Sequence, residues 1–171
     1  LDYLCDKKVT VMVWAVSALC LISSLKGLKY KIPEDARLIM FSGEVMPVKQ
    51  MRLWQQALPQ TEFVNLYGPS EITCNCTWYP VQREFQDGEV IAAGKAFNGR
   101  TVFLLDDTGA EITESGKTGE ICVAGESLAD GYYHNEEETA RRFVQGIIAS
   151  TGETARYYKT GDLGYYGEDE N

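Results

Sequence analysis

A tyrosine, a hydroxyl and a carboxylate follow one another around a Gly-Pro turn in NLYGPSE, residues 65–71. The Tyr67 ring could stack on a nucleotide base, and Gly68 would let a ligand approach the backbone closely. The Ser70 hydroxyl could donate a hydrogen bond to a phosphate oxygen. Glu71 could bind Mg²⁺, which usually takes one or two carboxylates together with phosphate oxygens. The tyrosine, serine and glutamate also have structural interpretations, as a core ring, a helix cap and a surface or capping carboxylate.

A second acidic residue, Asp162, follows a Thr-Gly turn in YKTGDLGYY, residues 158–166. A carboxylate can accept hydrogen bonds from both hydroxyls of a ribose, as acidic residues do in dinucleotide-binding folds. The alternative is a turn aspartate that accepts hydrogen bonds from its own backbone. Base-stacking Tyr67, metal-binding Glu71 and ribose-binding Asp162 would together describe a site for one nucleotide, and this combination is more specific than any single member.

Strands and helices alternate in the first half of the chain, as judged from apolar spacing and from turn residues. Strands are predicted at residues 9–14, 37–41 and 63–67, and helices at residues 15–26, with Gly27 as the stop, and from Pro47 onward. This order is typical of a parallel sheet with crossover helices, in which ligands bind at the carboxyl ends of strands. The sequences FSGE and YGPSE both lie at such ends, where Gly43 could line a base pocket.

Short strands separated by turn residues dominate after about residue 83, and a single helix is predicted at residues 135–143. Strands are expected in EVIAAG (residues 89–94) and within residues 100–110, 119–133 and 156–166. We therefore predict an α/β fold in two parts. Residues 1–83 would be the C-terminal part of a Rossmann-like, nucleotide- and acyl-binding subdomain with a parallel sheet. Residues 84–171 would be a small antiparallel β subdomain of the distorted-barrel type, in which the glycine-containing residues 119–133 serve as scaffold.

Composition argues against two classes of partner. The 171 residues carry a formal net charge of −9, which disfavours a nucleic-acid-binding surface. The longest apolar stretch, residues 9–22, is shorter than the roughly 20 residues that a membrane span needs. We therefore expect neither nucleic acid nor membrane as a partner.

The five cysteines are scattered, with no C-x-x-C pair, and His134 is the one histidine, which argues against a structural zinc site. Buried free thiols in a reducing cytoplasm are the favoured interpretation. Cys74 and Cys76 alternate on a predicted strand and would face the same side. The chain begins at Leu1 inside a predicted helix end and stops at GEDEN, which is typical of a hairpin turn, so a fragment of a longer protein is expected.

Four motifs carry a resemblance to a known family. Residues 42–47 are similar to G-G-E-x-[LM]-P with Ser42 in place of glycine, and NLYGPSE is similar to N-x-Y-G-P-T-E with Ser70 in place of threonine. Residues 119–132 are similar to G-E-[LI]-x-[IV]-x-G-x-x-[LV]-[AS]-x-G-Y. The fourth motif is YKTGD. These motifs follow one another along the chain in the family's order, over about 120 residues, and they resemble those of the adenylate-forming superfamily. That superfamily includes the amino-acid adenylation domains of nonribosomal peptide synthetases, D-alanine–carrier-protein ligases and acyl-CoA synthetases.

The resemblance implies a role for each matching residue toward ATP and Mg²⁺. Tyr67 would stack on adenine, and Ser70 would contact the α-phosphate. Glu71 would coordinate Mg²⁺, and Asp162 would hold the ribose hydroxyls. The remaining residues of the nucleotide site would be Gly43, Asn65 and Gly68, and the acyl pocket would contain Ala15, Met40, Ser42, Leu66, Cys74 and Asn75.

The implied reaction has two steps. The carboxylate of an amino acid or other small acid attacks the α-phosphorus of ATP, giving an acyl-adenylate and pyrophosphate, and the acyl group then passes to the phosphopantetheine thiol of a carrier protein. Cys74 and Asn75 would suit a small or polar amino acid. The family's phosphate loop and its C-terminal catalytic lysine would lie outside this chain, so the chain alone is expected to be inactive. The alternatives are an acyl- or aryl-CoA synthetase, with CoA as acceptor, or a noncatalytic descendant that binds nucleotide or a partner.

Overall fold

The computed structural model describes residues 1–167 and divides the chain into two compact units. Unit 1 contains Leu1–Tyr67 and Trp78–Gly94, and unit 2 contains Gly68–Thr77 and the chain from Lys95 onward. The predicted boundary at residue 83 falls within the second segment of unit 1, and the assignment of functional subdomains stays a prediction. Most of the expected GEDEN turn lies outside the described residues.

Unit 1 is built on parallel strands joined by helices, as predicted. Its elements are α1 (Asp2–Asp6), β1 (Val11–Ala15), α2 (Val16–Ser24), α3 (Gly27–Tyr30), β2 (Leu38–Ser42), α4 (Val48–Ala57), β3 (Glu62–Tyr67) and all but the first residue of β4 (Thr77–Pro80). Strands β1, β2 and β3 pair in parallel and in this order, with Met40 opposite both Val13 and Val64. The α/β fold class is thereby confirmed, and α2 and α4 are the crossover helices.

The stop predicted at Gly27 is wrong in detail. Helix α2 ends at Ser24, and Lys26 adopts a left-handed conformation with φ of 59°. Gly27 instead begins α3, where a Cβ atom would lie 3.0 Å from the Ile22 side chain and carbonyl oxygen. The chain therefore turns before the glycine, and the glycine permits a close contact between the two helices.

The core of unit 1 lies between α2, α4 and one face of the sheet. Phe41 alternates with half-buried residues along β2, and Phe63 lies between exposed Glu62 and half-buried Val64 on β3. Both rings are buried in one cluster with Leu19 and Trp54. Trp54 Nε1 donates to the carbonyl oxygen of Leu19 at 3.1 Å, which satisfies the indole N–H inside the core. This bond joins the two crossover helices.

Unit 2 contains the antiparallel sheet that the sequence predicts. Its elements are a 3₁₀ turn (Ser70–Ile72), β5 (Lys95–Ala96), β6 (Arg100–Leu105), β7 (Glu111–Ile112), β8 (Gly119–Gly125), α5 (Glu136–Arg142), β9 (Phe143–Ile148) and β10 (Glu153–Gly164). Five strands form a barrel-like antiparallel sheet in the order β7-β6-β8-β10-β9, so this part of the fold prediction is confirmed. The core includes Phe103, Cys122 and Ile148.

Helix α5 begins after Asn135, whose side-chain oxygen accepts a hydrogen bond from the backbone N–H of Glu138. Three glutamates occupy its first turn, and Arg141 and Arg142 occupy its last turn, as the helix dipole favours. The helix predicted at residues 135–143 is thus confirmed to within one residue at each end.

Two predicted strands are wrong. Residues 89–94 form no strand, because Gly94 has φ of +84° and the Ala92 carbonyl accepts a hydrogen bond from the side chain of Asn65. Cys74 and Cys76 do not alternate on a strand either. They follow the 3₁₀ turn in a loop where Cys74 has φ of 79°.

All five cysteines are free thiols, but they are not all buried as expected. Cys74 is exposed, whereas Cys76 and Cys122 are fully buried. Burial raises the pKa of Cys76 to about 11 and that of Cys122 to about 12, which keeps both thiols protonated at neutral pH. None of the helices within residues 1–167 is long and apolar enough to cross a membrane.

Replacing Trp54 with phenylalanine should destabilise the chain by about 2 kcal/mol, because the variant loses the bond to the Leu19 carbonyl and leaves a small cavity. Urea unfolding measures this change. Trp78→Phe is the matched control, because Trp78 is 41% exposed, and it should change the free energy of unfolding by less than about 0.5 kcal/mol. Equal effects of the two variants would contradict the packing described for unit 1.

A thiol reagent such as DTNB should modify Cys74 first in the native protein, because attack requires an accessible thiolate. Cys76 and Cys122 should react only after denaturation. Peptide mapping of partly labelled protein identifies the sites, and Cys74→Ser should remove the fastest phase. A fast phase that survives in Cys74→Ser would show that another thiol is exposed.

Candidate functional site

The carboxyl ends of β2 and β3 lie at the same edge of the unit 1 sheet, because the two strands are parallel neighbours with Phe41 opposite Asn65. Gly43 follows β2 directly, and Tyr67 is the last residue of β3. Gly43 has φ of +93°, a conformation that favours glycine, and it is exposed. The structure therefore brings these two predicted nucleotide-binding residues to adjacent strand ends.

Three of the predicted acyl-pocket residues share the sheet face that points away from α2 and α4. Ala15 is paired with Ser42, and Met40 lies two residues before Ser42 on the same side of β2. Ala15 is exposed, and the other two are half-buried. Leu66 occupies the corresponding side of β3 and is buried.

Asn65 belongs to the opposite face of β3. Its Nδ2 atom donates to the carbonyl oxygen of Ala92 at 2.8 Å and so ties the end of the strand to the segment before Gly94. The side chain therefore has a structural partner within unit 1. Its predicted contribution to nucleotide binding stays a prediction.

The turn that opens the unit 2 segment is folded tightly upon itself. A Cβ atom at Gly68 would lie 2.6 Å from both Asn75 Cα and Cys76 N. A glycine is thus required here because the chain's own backbone packs against it. The sequence analysis instead considered the close approach of a ligand as the reason for this glycine. Ser70 is exposed at the start of the 3₁₀ turn.

Glu71 is held by two tyrosine hydroxyls. Tyr132 donates to Glu71 Oε1 at 2.6 Å, and Tyr158 donates to the same oxygen at 2.9 Å. The two hydroxyl oxygens are 3.0 Å apart. The backbone of the glutamate is fixed as well, because its carbonyl oxygen accepts from the N–H of Ala129 at 2.8 Å. We call Glu71, Tyr132 and Tyr158 the carboxylate clamp.

The clamp favours the charged form of the glutamate. Burial raises the pKa of Glu71, but hydrogen bonds from Tyr132, the backbone and Tyr158, together with the charge of Arg142, outweigh burial and leave the pKa below its usual value. Burial and the hydrogen bond to the carboxylate raise the pKa of Tyr132, and burial and the other two members of the clamp raise that of Tyr158. Both phenols therefore remain hydrogen-bond donors at neutral pH.

Helix α5 supports the tyrosines. The N–H of Tyr132 donates to Thr139 Oγ1 at 2.8 Å, and the Phe143 ring packs against the rings of Tyr132 and Tyr158 at centroid distances of 5.6 Å and 5.0 Å. The Arg156 guanidinium lies over the Phe143 ring, 4.6 Å from its centroid. The predicted helix thus braces the clamp.

Asp162 lies on β10, the strand that also carries Tyr158. The register of β10 against β8 shifts between Lys159 and Leu163, so Asp162 leaves the regular ladder. Gly161, with φ of +81°, donates its N–H to Glu120 Oε1 at 3.0 Å, and the N–H of Asp162 donates to Thr160 Oγ1 at 3.0 Å. This bulge exposes the Asp162 side chain at a defined place on unit 2.

Sequence reasoning missed the two tyrosines of the clamp. Residues 119–133 were predicted to be scaffold, whereas Tyr132 at their end contacts the predicted metal ligand directly. Tyr158 opens the YKTGD motif, which drew attention only through Asp162. The signal was present in the type and position of both residues, since each is an aromatic hydroxyl at a motif boundary.

Cys74 and Asn75 follow the 3₁₀ turn in unit 2. Thr73 and Cys74 both adopt left-handed conformations, which are strained for residues other than glycine. Asn75 Oδ1 is buried and accepts no hydrogen bond, although Asn75 Nδ2 contacts Cys74 Sγ at 3.5 Å. The loop is therefore strained and contains an acceptor that the surrounding protein does not satisfy.

Replacing Gly68 with alanine should cost about 1–3 kcal/mol of stability, because the new methyl group would collide with backbone atoms that cannot rotate away. Thermal or urea unfolding of the purified chain measures the loss. Ser70→Ala, two residues away and exposed, should leave stability within about 0.5 kcal/mol of the wild type. An alanine at residue 68 without cost would show that the turn is more open than described.

Comparison with known proteins gives one matching family model, described as AMP-binding enzyme, over residues 1–133. Surfactin synthase subunit 1 of Bacillus subtilis (strain 168) is 39% identical over 127 residues, which cover 74% of this chain and 3% of the synthase. L-proline--[L-prolyl-carrier protein] ligase of Streptomyces coelicolor is 32% identical over 162 residues, which cover 94% of this chain and 30% of the ligase.

Solved structures show the same similarity. Holo-PA1221, an NRPS protein containing adenylation and PCP domains, matches 99% of this chain and 28% of its own length with a TM-score of 0.88 and 29% identity. IdnL1 matches 99% of this chain and 35% of its own length with a TM-score of 0.82 and 32% identity. The chain thus spans at most about a third of these relatives. The predicted resemblance to adenylation domains of nonribosomal peptide synthetases is confirmed, and the chain belongs to the family of AMP-binding enzymes.

Proposed function

We propose that the protein to which this chain belongs activates an amino acid as its adenylate and then transfers the aminoacyl group to the phosphopantetheine thiol of a carrier protein. Family membership supports ATP as the nucleotide substrate. The observation that carries the proposal is the carboxylate clamp, which keeps Glu71 ionised and fixed in place.

The nucleotide contacts that we propose follow the matching motif residues. Tyr67 at the end of β3 stacks on adenine, and Gly43 and Gly68 contribute to adenine binding. Asn65 supports the strand end, and Ser70 donates to the α-phosphate. Asp162, exposed at the bulge of β10, accepts hydrogen bonds from the ribose hydroxyls.

Glu71 fits the role of ligand for Mg²⁺. Its charge is retained, and both tyrosine hydroxyls approach Oε1 rather than Oε2. No group of three or more His, Cys, Asp or Glu side chains suited to a metal occurs in the part of the chain that the structure describes. A single carboxylate suits Mg²⁺ that is delivered with nucleotide phosphates, which supply further oxygen ligands. When bound, the ion would offset the negative charge that develops on the phosphate oxygens.

The chain's own residues would act mainly by positioning. The attacking carboxylate and the triphosphate are both anionic, so their approach requires them to be held in line and their charge to be compensated. Ser70 would donate to an α-phosphate oxygen. Glu71 lies one residue further along the same 3₁₀ turn, so one turn would position both the phosphate contact and the metal contact.

We propose acyl-binding roles for Ala15, Met40, Ser42 and Leu66 of unit 1 and for Cys74 and Asn75 of unit 2, as the resemblance implies. The amide of Asn75 supports a substrate with hydrogen-bonding groups, because an amide can both donate and accept hydrogen bonds. A small or polar amino acid has this chemistry, and a long-chain fatty acid does not. Two relatives support a carrier protein over CoA as the acceptor. One is the solved protein that contains adenylation and PCP domains, and the other is named as a carrier-protein ligase.

The test is ATP–pyrophosphate exchange by the full-length protein with each standard amino acid, D-alanine, and several fatty and aryl acids. We expect exchange with one small or polar amino acid. Glu71→Gln should lower the rate about 100-fold or more, because it removes the charge that compensates the metal. Asp162→Asn should raise KM for ATP about tenfold through weakened ribose contacts. Asp107→Asn, in the exposed hairpin between β6 and β7, is the matched control and should leave both values unchanged.

Other results of the exchange assay would favour one of the alternative functions. Exchange with fatty or aryl acids alone would favour the alternative, an acyl- or aryl-CoA synthetase. A folded protein that binds ATP without exchanging pyrophosphate in the presence of any acid would be a noncatalytic member of the family. The 171-residue chain alone should show no exchange, and measurable acyl-adenylate from it would contradict the proposed need for further segments.

A further inference from the structure

We propose that Tyr132 and Tyr158 are positioning residues for Glu71, and that they fix Oε1 so that Oε2 is presented to the metal ion of the metal–nucleotide substrate. This inference rests on the proposed function and adds two residues to it. Neither tyrosine would touch the substrate or the metal. Each would act through the orientation of one carboxylate.

The proton count of the clamp supports this role. Each phenol has a single proton, and an ionised carboxylate has none. With both phenols directed at Oε1, at 2.6 Å and 2.9 Å, no proton remains for the 3.0 Å contact between the two hydroxyl oxygens. Both available protons thus converge on the same oxygen of Glu71. Burial of the polar groups alone would not require this, because the two hydroxyls could also bond to each other or to separate oxygens.

The donors are themselves held in place, which a positioning role requires. Tyr158 is 5% exposed and is paired on β10 with Val123 of β8 on one side and Phe143 of β9 on the other. The Tyr132 backbone is bonded to Thr139 of α5, and its ring packs edge-on against Phe143. Rotation of either phenol away from Glu71 would disrupt this aromatic packing.

The backbone around Glu71 is secured by the segment that leads to Tyr132. Besides the bond from Ala129, the Ser127 hydroxyl donates to the carbonyl oxygen of Ile72 at 2.9 Å, and the Thr73 hydroxyl donates to the carbonyl oxygen of Ser127 at 2.8 Å. The glutamate is therefore fixed at its main chain and at one oxygen of its side chain. Partners that orient a metal ligand in this way commonly change metal affinity or activity about 10- to 100-fold when they are removed.

The experiment uses Tyr132→Phe and Tyr158→Phe in the full-length protein, with Tyr133→Phe as the matched control. Tyr133 is the next residue along the chain and is 91% exposed, so its hydroxyl should be dispensable. Two readouts are needed. The first is the Mg²⁺ concentration that gives half-maximal ATP–pyrophosphate exchange. The second is Mn²⁺ binding in the presence of a nonhydrolysable ATP analogue, measured by electron paramagnetic resonance, which does not depend on turnover.

We expect each clamp variant to raise the half-saturating Mg²⁺ concentration about tenfold or more and to weaken Mn²⁺ binding by a similar factor. KM for the amino acid should remain unchanged, and the control should behave as the wild type. A merely structural role would instead lower the amount of folded protein without changing the metal dependence of the folded fraction. If Tyr158→Phe does not fold, Tyr132→Phe, at a less buried position, carries the test.

The outcomes separate this inference from the function on which it rests. The positioning role would be overturned if both clamp variants kept the metal dependence of the wild type while Glu71→Gln lost exchange and Mn²⁺ binding. The proposed function would then still stand. Unchanged Mn²⁺ binding in Glu71→Gln would overturn the metal role of Glu71 and the positioning role together. No exchange by the wild type with any acid would overturn the proposed function, whereas weaker Mn²⁺ binding in the clamp variants would still support the positioning role.

Discussion

A half-buried carboxylate must find hydrogen-bond donors, and much of unit 2 is arranged around this requirement at Glu71. Removing a charge from water costs several kcal/mol unless donors replace the lost hydration. The donors come from two distant parts of unit 2, since Tyr132 precedes α5 and Tyr158 lies in the middle of β10. The segment that leads into α5 and the long strand β10 are therefore linked through one oxygen atom of Glu71. Phe143, the first residue of β9, packs against both tyrosine rings.

The loop that follows Glu71 is strained and is held by hydrogen bonds to Ser127. Gly68 permits the backbone to return within 2.6 Å of a position that any Cβ atom would occupy, and Thr73 and Cys74 adopt left-handed conformations. Each such conformation costs about 1–3 kcal/mol and persists only when its surroundings determine it. The hydrogen bonds of Ile72 and Thr73 with Ser127 hold the loop in these conformations. A loop held in this way can keep Asn75 Oδ1 buried without a partner.

Strand β10 contains a regularly paired part and a β-bulge. It pairs with β9 up to Tyr158 and with β8 up to Lys159, and its pairing with β8 resumes at Leu163 after a shift in register. The regular part makes Tyr158 rigid, and the bulge exposes Asp162. A single strand can thus provide a buried donor and an exposed acceptor only four residues apart, because the bulge breaks the two-residue alternation of side chains.

The sequence by itself determined those features that depend on neighbours along the chain. Apolar spacing was enough for β1 to β3, for α4 after Pro47 and for α5 after Asn135, because strand and helix periodicities are local properties. The order of four motifs was enough to identify the family. Local patterns failed at residues 89–94 and at Cys74 and Cys76, where a glycine with positive φ, a side-chain bond to a carbonyl and left-handed residues replaced strand pairing.

Only the tertiary structure decided which groups surround Glu71. Tyr132 is 61 residues away along the chain and Tyr158 is 87 residues away, so no local pattern could join them to the glutamate. Gly68 illustrates the same distinction, because its need for glycine arises from Asn75 and Cys76 returning against it. Motifs show which residue types are present, whereas hydrogen bonds act over about 3 Å and exist only once folding has brought distant segments together.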